Sequence, residues 1–138
     1  MSKENIIIIS IIAVILLALW GWQSGWFAKE QTGSAIMPEG LVLFFGDGCP
    51  YCKVVEDFIS ENNLAEKVPF TNLEIAFRGK TSPKLKANSE LLVQAALNCK
   101  MDVRGGVNIP FLYDGGNKSC LIGEPDIIKF FKDKAGIQ

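Results

Sequence analysis

The sequence predicts an α/β sandwich around a small sheet of mixed strand direction, preceded by one transmembrane helix. Three observations predict it. A continuous apolar run, Leu41 to Phe45, leads into an amphipathic stretch in which Val54, Val55, Phe58 and Ile59 recur at helical spacing. Two short apolar runs flank the Gly115-Gly116 pair, the pattern of a hairpin. The chain opens on a charge-free segment from Ile6 to Trp22, within the roughly 17 to 25 residues a helix needs to cross a hydrocarbon layer.

Taken in order, residues 1–4 form a short leader and residues 5–27 a signal anchor. Trp20, Trp22 and Trp26 cluster at the end of the span, where indole rings prefer the boundary between lipid and water. A cleaved signal peptide is the competing reading, but "QSGWFAKE" puts Trp26 and Phe27 where small residues are needed. A short leader with a whole domain behind the span is the arrangement of a single-pass protein that exports its C-terminal part. That places the domain in the membrane's extracytoplasmic compartment, where disulfides persist. Residues 28–40 are polar and broken by Gly33, Pro38 and Gly40, a tether; residues 41–138 are the domain.

Within the domain, "LVLFF" bounded by Gly46 reads as a central strand buried on both faces. A helix starts at Cys49 or Pro50 and closes at "ENN". The next strand lies within "VPFTNLEIAF", with Phe70, Leu73, Ile75 and Phe77 as its large apolar members. "RGKTSPKLK" reads as a solvated basic loop carrying Lys80, Lys84 and Lys86, after which Asn88 or Ser89 caps a helix with the stripe Leu91, Leu92, Ala95, Ala96 and Cys99. Two strands joined at Asp114 to Lys118 follow. The closing helix has Pro125 in its first turn, Ile127, Phe130 and Phe131 facing inward, and Gly136 as its stop.

Charge excludes some functions. Lys plus Arg number 14 and Asp plus Glu 15, and beyond the span the balance is 13 against 14. A near-neutral surface does not suit nucleic acid, which is bound by clustered cations. The chain has no histidine, which rules out Cys-His pairs, Ser-His-Asp triads and histidine metal sites.

The chemistry lies in "CPYC". Cys49 falls at the exposed N-terminal end of the first helix and Cys52 one turn inside on the same face. Thiols so placed satisfy disulfide geometry in place. Unpaired N–H groups and the macrodipole favour an anion at a helix start, which makes Cys49 the nucleophile and Cys52 the resolving thiol. An inert disulfide and a four-cysteine zinc site are the competing readings. Tyr51, between the thiols, either covers the helix end or tunes the pair.

"CPYC" after an apolar strand, "NIPF" before a hairpin and "IGEPDIIKFF" at the end resemble the thioredoxin superfamily, and the tetrapeptide is the one typical of glutaredoxins. The resemblance spans roughly Leu41 to Lys134. It implies a three-layer sandwich, with an extra helix around Leu91 to Asn98 between the CPYC half and the proline half. It also implies a cis Ile109-Pro110 bond beside the active disulfide and a substrate-binding role for Tyr51, Ile109 and Pro110, the backbone at Ile109 pairing with an extended substrate. The chain departs from the pattern in places. Gly46, Asp47 and Gly48 stand where glutaredoxins carry a lysine, Leu43 stands where thioredoxins bury an aspartate, and "GEPD" matches only part of a glutathione-holding segment.

Cys99 and Cys120 are left to form a structural disulfide, to stay as buried free thiols, or to serve as a second electron-relay pair. The expected function is that of an enzyme, a membrane-anchored thiol-disulfide oxidoreductase. It acts on protein thiols and disulfides with no cofactor or metal beyond its own dithiol, glutathione being the less supported partner. A membrane redox protein recharges it and the bilayer holds its N-terminal helix. The alternative is a non-catalytic docking or metal-carrying module whose cysteines are structural.

Overall fold

The computed structural model describes residues 4, 11–16 and 37–138. The chain divides into two units, Met1–Ser34 and Ala35–Gln138. In the first, residues 4 and 11–16 are helical, and Ile11, Ile12, Val14, Ile15 and Leu16 are exposed. The rest of the 5–27 span and residues 28–36 of the tether lie outside the described residues. Among the described residues no helix is long and apolar enough to cross a membrane.

The second unit is a mixed α/β structure around a four-stranded sheet. Strand β1 (Leu41–Phe45) leads into helix α1 (Pro50–Glu61), the one-turn helix α2 (Leu64–Lys67) and strand β2 (Phe70–Glu74). Helix α3 (Pro83–Asn98) precedes the hairpin of β3 (Phe111–Asp114) and β4 (Ser119–Ile122), and α4 (Glu124–Ala135) closes the chain. The strand order is β2-β1-β3-β4. β1 runs parallel to β2, pairing Leu41 with Phe70, and antiparallel to β3, pairing Val42 with Tyr113; β3 and β4 are antiparallel.

Alternation along β1 sends side chains to opposite faces and so builds two cores. Val42 and Phe44 join Phe111 and Tyr113 against Leu92 and Ala95 of α3. Leu43 and Leu112 pack on the other face against Val55, Leu64, Ile127 and Phe131, drawn from the remaining helices. Each such large side chain contributes about 1.5 to 3 kcal/mol when fully buried. Helices on both faces leave β1 and β3 buried at the centre, which holds the loop after β1 and the loop before β3 at the same end of the sheet.

Several boundaries differ from the sequence reading. Helix α3 begins at Pro83, inside the segment read as a basic loop. Ser82 caps it by accepting from the Leu85 N–H at 3.2 Å, and Pro83 fits the first turn. Asn88 and Ser89 therefore lie inside the helix and serve the edge of the sheet. Asn88 donates to the Glu74 carbonyl at 2.7 Å, and Ser89 Oγ accepts from the Ala76 N–H at 3.1 Å. Helix α2 has no counterpart in the reading, because four residues carry no period. Met37 packs against the α3-side core and Gly40 O accepts from the Gly115 N–H at 3.0 Å. The last residues assigned to the tether are thus laid against the hairpin.

Candidate functional site

The loop Gly46–Gly48 joins β1 to α1 and positions the first cysteine. Gly46 is fixed by crowding: a Cβ there would stand 2.7 Å from Phe77 Cγ and 2.8 Å from Ile109 Cδ1. Gly48 has φ of 73°, a left-handed conformation open to glycine without penalty. The turn closes with the Cys49 N–H donating to Gly46 O at 3.2 Å.

Cys49 is the N-cap of α1, with Pro50 behind it in the first turn, and its Sγ accepts from the Cys52 N–H at 3.3 Å. A thiol here fills the position usually given to a serine or aspartate oxygen. Cys49 and Cys52 are disulfide-bonded, with Cα atoms 5.3 Å apart. The sequence reading of Cys49 as exposed needs correction: it is 5% exposed and Cys52 2%. Cys49 Sγ lies 4.0 Å from the Ile109 carbonyl oxygen, beside the loop that precedes β3.

The Ile109-Pro110 bond is cis, and Pro110 is fully buried. The Pro110 carbonyl accepts from the Gly123 N–H at 3.0 Å, which ties this loop to the start of α4. Tyr51, 58% exposed, joins Ile109, Pro110, Ile122 and Glu124 around a cleft of about 330 Å³. The five residues singled out in the sequence therefore converge: Cys49 and Cys52 at the helix end, and Tyr51, Ile109 and Pro110 beside it.

Cys99 and Cys120 do not join them. They form a second disulfide, Cα atoms 6.1 Å apart, between the C-cap of α3 and strand β4. Of the three readings left open, free thiols do not hold in this structure.

A larger cleft, about 520 Å³, lies on the other flank of Cys49, with Asp47, Lys53, Glu56, Glu74 and Lys80 along it. Burial pushes the Glu56 carboxyl above the ordinary glutamate range, against the pull of Lys53. Lys80 binds Glu74 Oε1 at 2.6 Å and Asp47 Oδ2 at 3.0 Å. These two carboxylates, Glu74 foremost, hold its ammonium above the usual lysine range. Arg78 Nη1 donates to the Gly48 carbonyl at 3.1 Å. Lys53 pairs with Asp57 on the exposed side of α1.

The sequence reading missed Glu56, Glu74, Arg78 and Lys80, and it assigned Lys80 to a solvated loop. The available signal was faint. Glu56 lies one turn beyond Cys52 on α1, but nothing local links Lys80 to Asp47. Among the described residues no group of three or more His, Cys, Asp or Glu is arranged to hold a metal. No family model matches the chain, and no curated protein or solved structure matches it significantly.

Proposed function

We propose that the protein is a thiol-disulfide oxidoreductase of thioredoxin-like fold, exchanging disulfides with protein thiols through Cys49 and Cys52. One observation carries the reading: Cys49 Sγ caps a helix, accepts an N–H from Cys52 and is bonded to that same residue. In the reduced protein those N–H groups favour the Cys49 thiolate over a free thiol, whose pKa is about 8.5. The thiolate attacks one sulfur of a substrate disulfide, forming a mixed disulfide and expelling the other substrate sulfur as a thiolate. Cys52 then gives up its proton and attacks Cys49 Sγ. The Cys49–Cys52 bond forms, the second substrate thiol leaves, and two electrons have passed to the substrate. Run backwards, the oxidised pair takes two electrons from a substrate dithiol.

The cleft lined by Tyr51, Ile109 and Pro110 supports a binding role for an extended peptide, with the Ile109 carbonyl beside the reacting sulfur. The apolar 5–27 segment, whose described residues 11–16 are helical and expose apolar side chains, supports a single-pass anchor with the domain on the extracytoplasmic side. A protein partner in that membrane then recharges the dithiol. No cofactor enters the scheme, and the glutathione alternative lacks the lysine expected before Cys49.

The test is trapping on non-reducing electrophoresis. Cys52→Ser accumulates mixed disulfides with partner proteins and Cys49→Ser accumulates none; equal trapping by the two variants rejects the roles assigned.

A further inference from the structure

The turn Phe77–Lys80 lies against the loop that carries Cys49. Reciprocal backbone hydrogen bonds close the turn, Phe77 N–H to Lys80 O at 3.2 Å and Lys80 N–H to Phe77 O at 3.0 Å. Its ring packs on Gly46 so tightly that no Cβ fits between. Its two cations then reach the next two residues of the loop: Lys80 to the Asp47 carboxylate at 3.0 Å and Arg78 to the Gly48 carbonyl at 3.1 Å. Glu74, at the end of β2, holds the other side of Lys80 at 2.6 Å. All three residues before Cys49 are therefore gripped by one distant turn.

Charge gives this grip a chemical consequence. Asp47 is two positions before Cys49 and lines the same cleft. An uncompensated carboxylate there opposes a Cys49 thiolate, cancelling part of what the helix start provides. Lys80 lines the cleft too and neutralises Asp47 by direct contact. The other charged groups about Cys49 are accounted for. On α1, Lys53 is engaged by Asp57, and Glu56, one turn beyond Cys52, lines the same cleft with its carboxyl raised by burial. On the loop carrying Ile109, Asn108 stands beside it and Asp102 and Arg104 pair with each other, and Glu124 at the start of α4 lines the other cleft.

We propose that Lys80 is a positioning residue for the thiol chemistry: bridging Asp47 and Glu74, it fixes the loop before Cys49 and removes the carboxylate's opposition to the Cys49 thiolate. The inference rests on the reading of Cys49 as the nucleophile.

The experiment is the pH dependence of iodoacetamide alkylation at Cys49 in the reduced full chain held in detergent, followed by mass spectrometry. Lys80→Met raises the ionisation midpoint and slows alkylation at pH 7 by about threefold to tenfold, as the loss of one screened positive charge from the cleft would. Asp47→Asn lowers the midpoint. The double variant Lys80→Met, Asp47→Asn returns close to wild type, and Lys80→Arg preserves the wild-type midpoint. A Lys80→Met profile that superimposes on wild type overturns the inference, as does a double variant no better than Lys80→Met alone. If wild-type Cys49 itself reacts no faster than the same thiol in urea, the functional reading has failed, an outcome separate from the other two.

Discussion

The two disulfides are the same bond in opposite surroundings. Cys49 begins a helix and its sulfur meets an N–H at 3.3 Å, with the Ile109 carbonyl oxygen farther off at 4.0 Å; Cys99 ends one, and its sulfur lies 3.6 Å from the Lys118 carbonyl oxygen while Cys120 Sγ lies 3.5 Å from that of Ala95. Donors stabilise a sulfur anion and acceptors repel it, which under the proposed function suits the first pair to opening and the second to staying closed. Separation in the chain runs the same way. Cys49 and Cys52 are 3 positions apart and Cys99 and Cys120 are 21, and a longer loop loses more freedom when closed. On that proposal, local electrostatics, more than the cysteine itself, separates a reagent from a staple.

The largest effect that breaks or sharpens this contrast is a difference in reduction potential. Titration with dithiothreitol redox buffers, read by alkylation and mass spectrometry, should resolve two steps. Cys49–Cys52 falls in the range of known oxidoreductases, roughly −120 to −270 mV, and Cys99–Cys120 below about −300 mV. A single step would erase the distinction.

Removing the staple comes next. Cys99→Ser with Cys120→Ser is expected to lower stability by about 3 kcal/mol, the chain-entropy value for a loop of this size, read as a shift of the urea midpoint. Mixed-disulfide trapping at Cys49 should persist in a Cys52→Ser background. Loss of trapping in a still-folded variant would show that the second pair belongs to the reaction.

A smaller effect separates the crowded glycine from an open one. Gly46→Ala forces a methyl group between Phe77 and Ile109 and should cost about 1 to 3 kcal/mol, as overpacking does. Gly40→Ala, with nothing within 4 Å of the added carbon, should change stability by less than about 0.5 kcal/mol. Equal unfolding midpoints would mean that the loop before Cys49 yields freely.

The smallest effect concerns pH. Burial raises the Glu56 carboxyl above its ordinary value of 4.5, so the folded chain holds that proton more tightly than the unfolded one. The favourable contribution is complete below the unfolded value and is lost as pH rises through the folded one. Glu56→Gln should therefore raise Tm at pH 7, by no more than about 2 °C, and leave it unchanged near pH 3. The reverse order would contradict a desolvated carboxyl.

Much of this molecule was legible in the sequence where the signal is local. β1 announced itself as an apolar run ended by glycine, α1 by its proline and spacing, the hairpin by Gly115 and Gly116, and Cys49 and Cys52 by their interval. The start of α3 was misplaced although Ser82 and Pro83 carried a regular helix-start signal, because Lys84 and Lys86 made the segment look like a polar loop. The burial of Cys49 and the grip of Arg78 and Lys80 could not be read. Both depend on which loops the sheet brings to one end, and a contact between Asp47 and Lys80 leaves no periodicity to detect.

The covalent ring closed by Cys99 and Cys120 has Ile109 and Pro110 near its middle. A segment confined at both ends loses most of its freedom before any peptide arrives, so we expect the receiving loop to be ready in shape from the moment the ring is sealed. Under the proposed function, maturation then depends on an oxidation event separate from the exchange at Cys49 and Cys52. On the proposed function, a chain lacking that second bond should keep its reactive sulfur and yet greet its partners with a slack hand, visible as a raised KM at an unchanged alkylation rate.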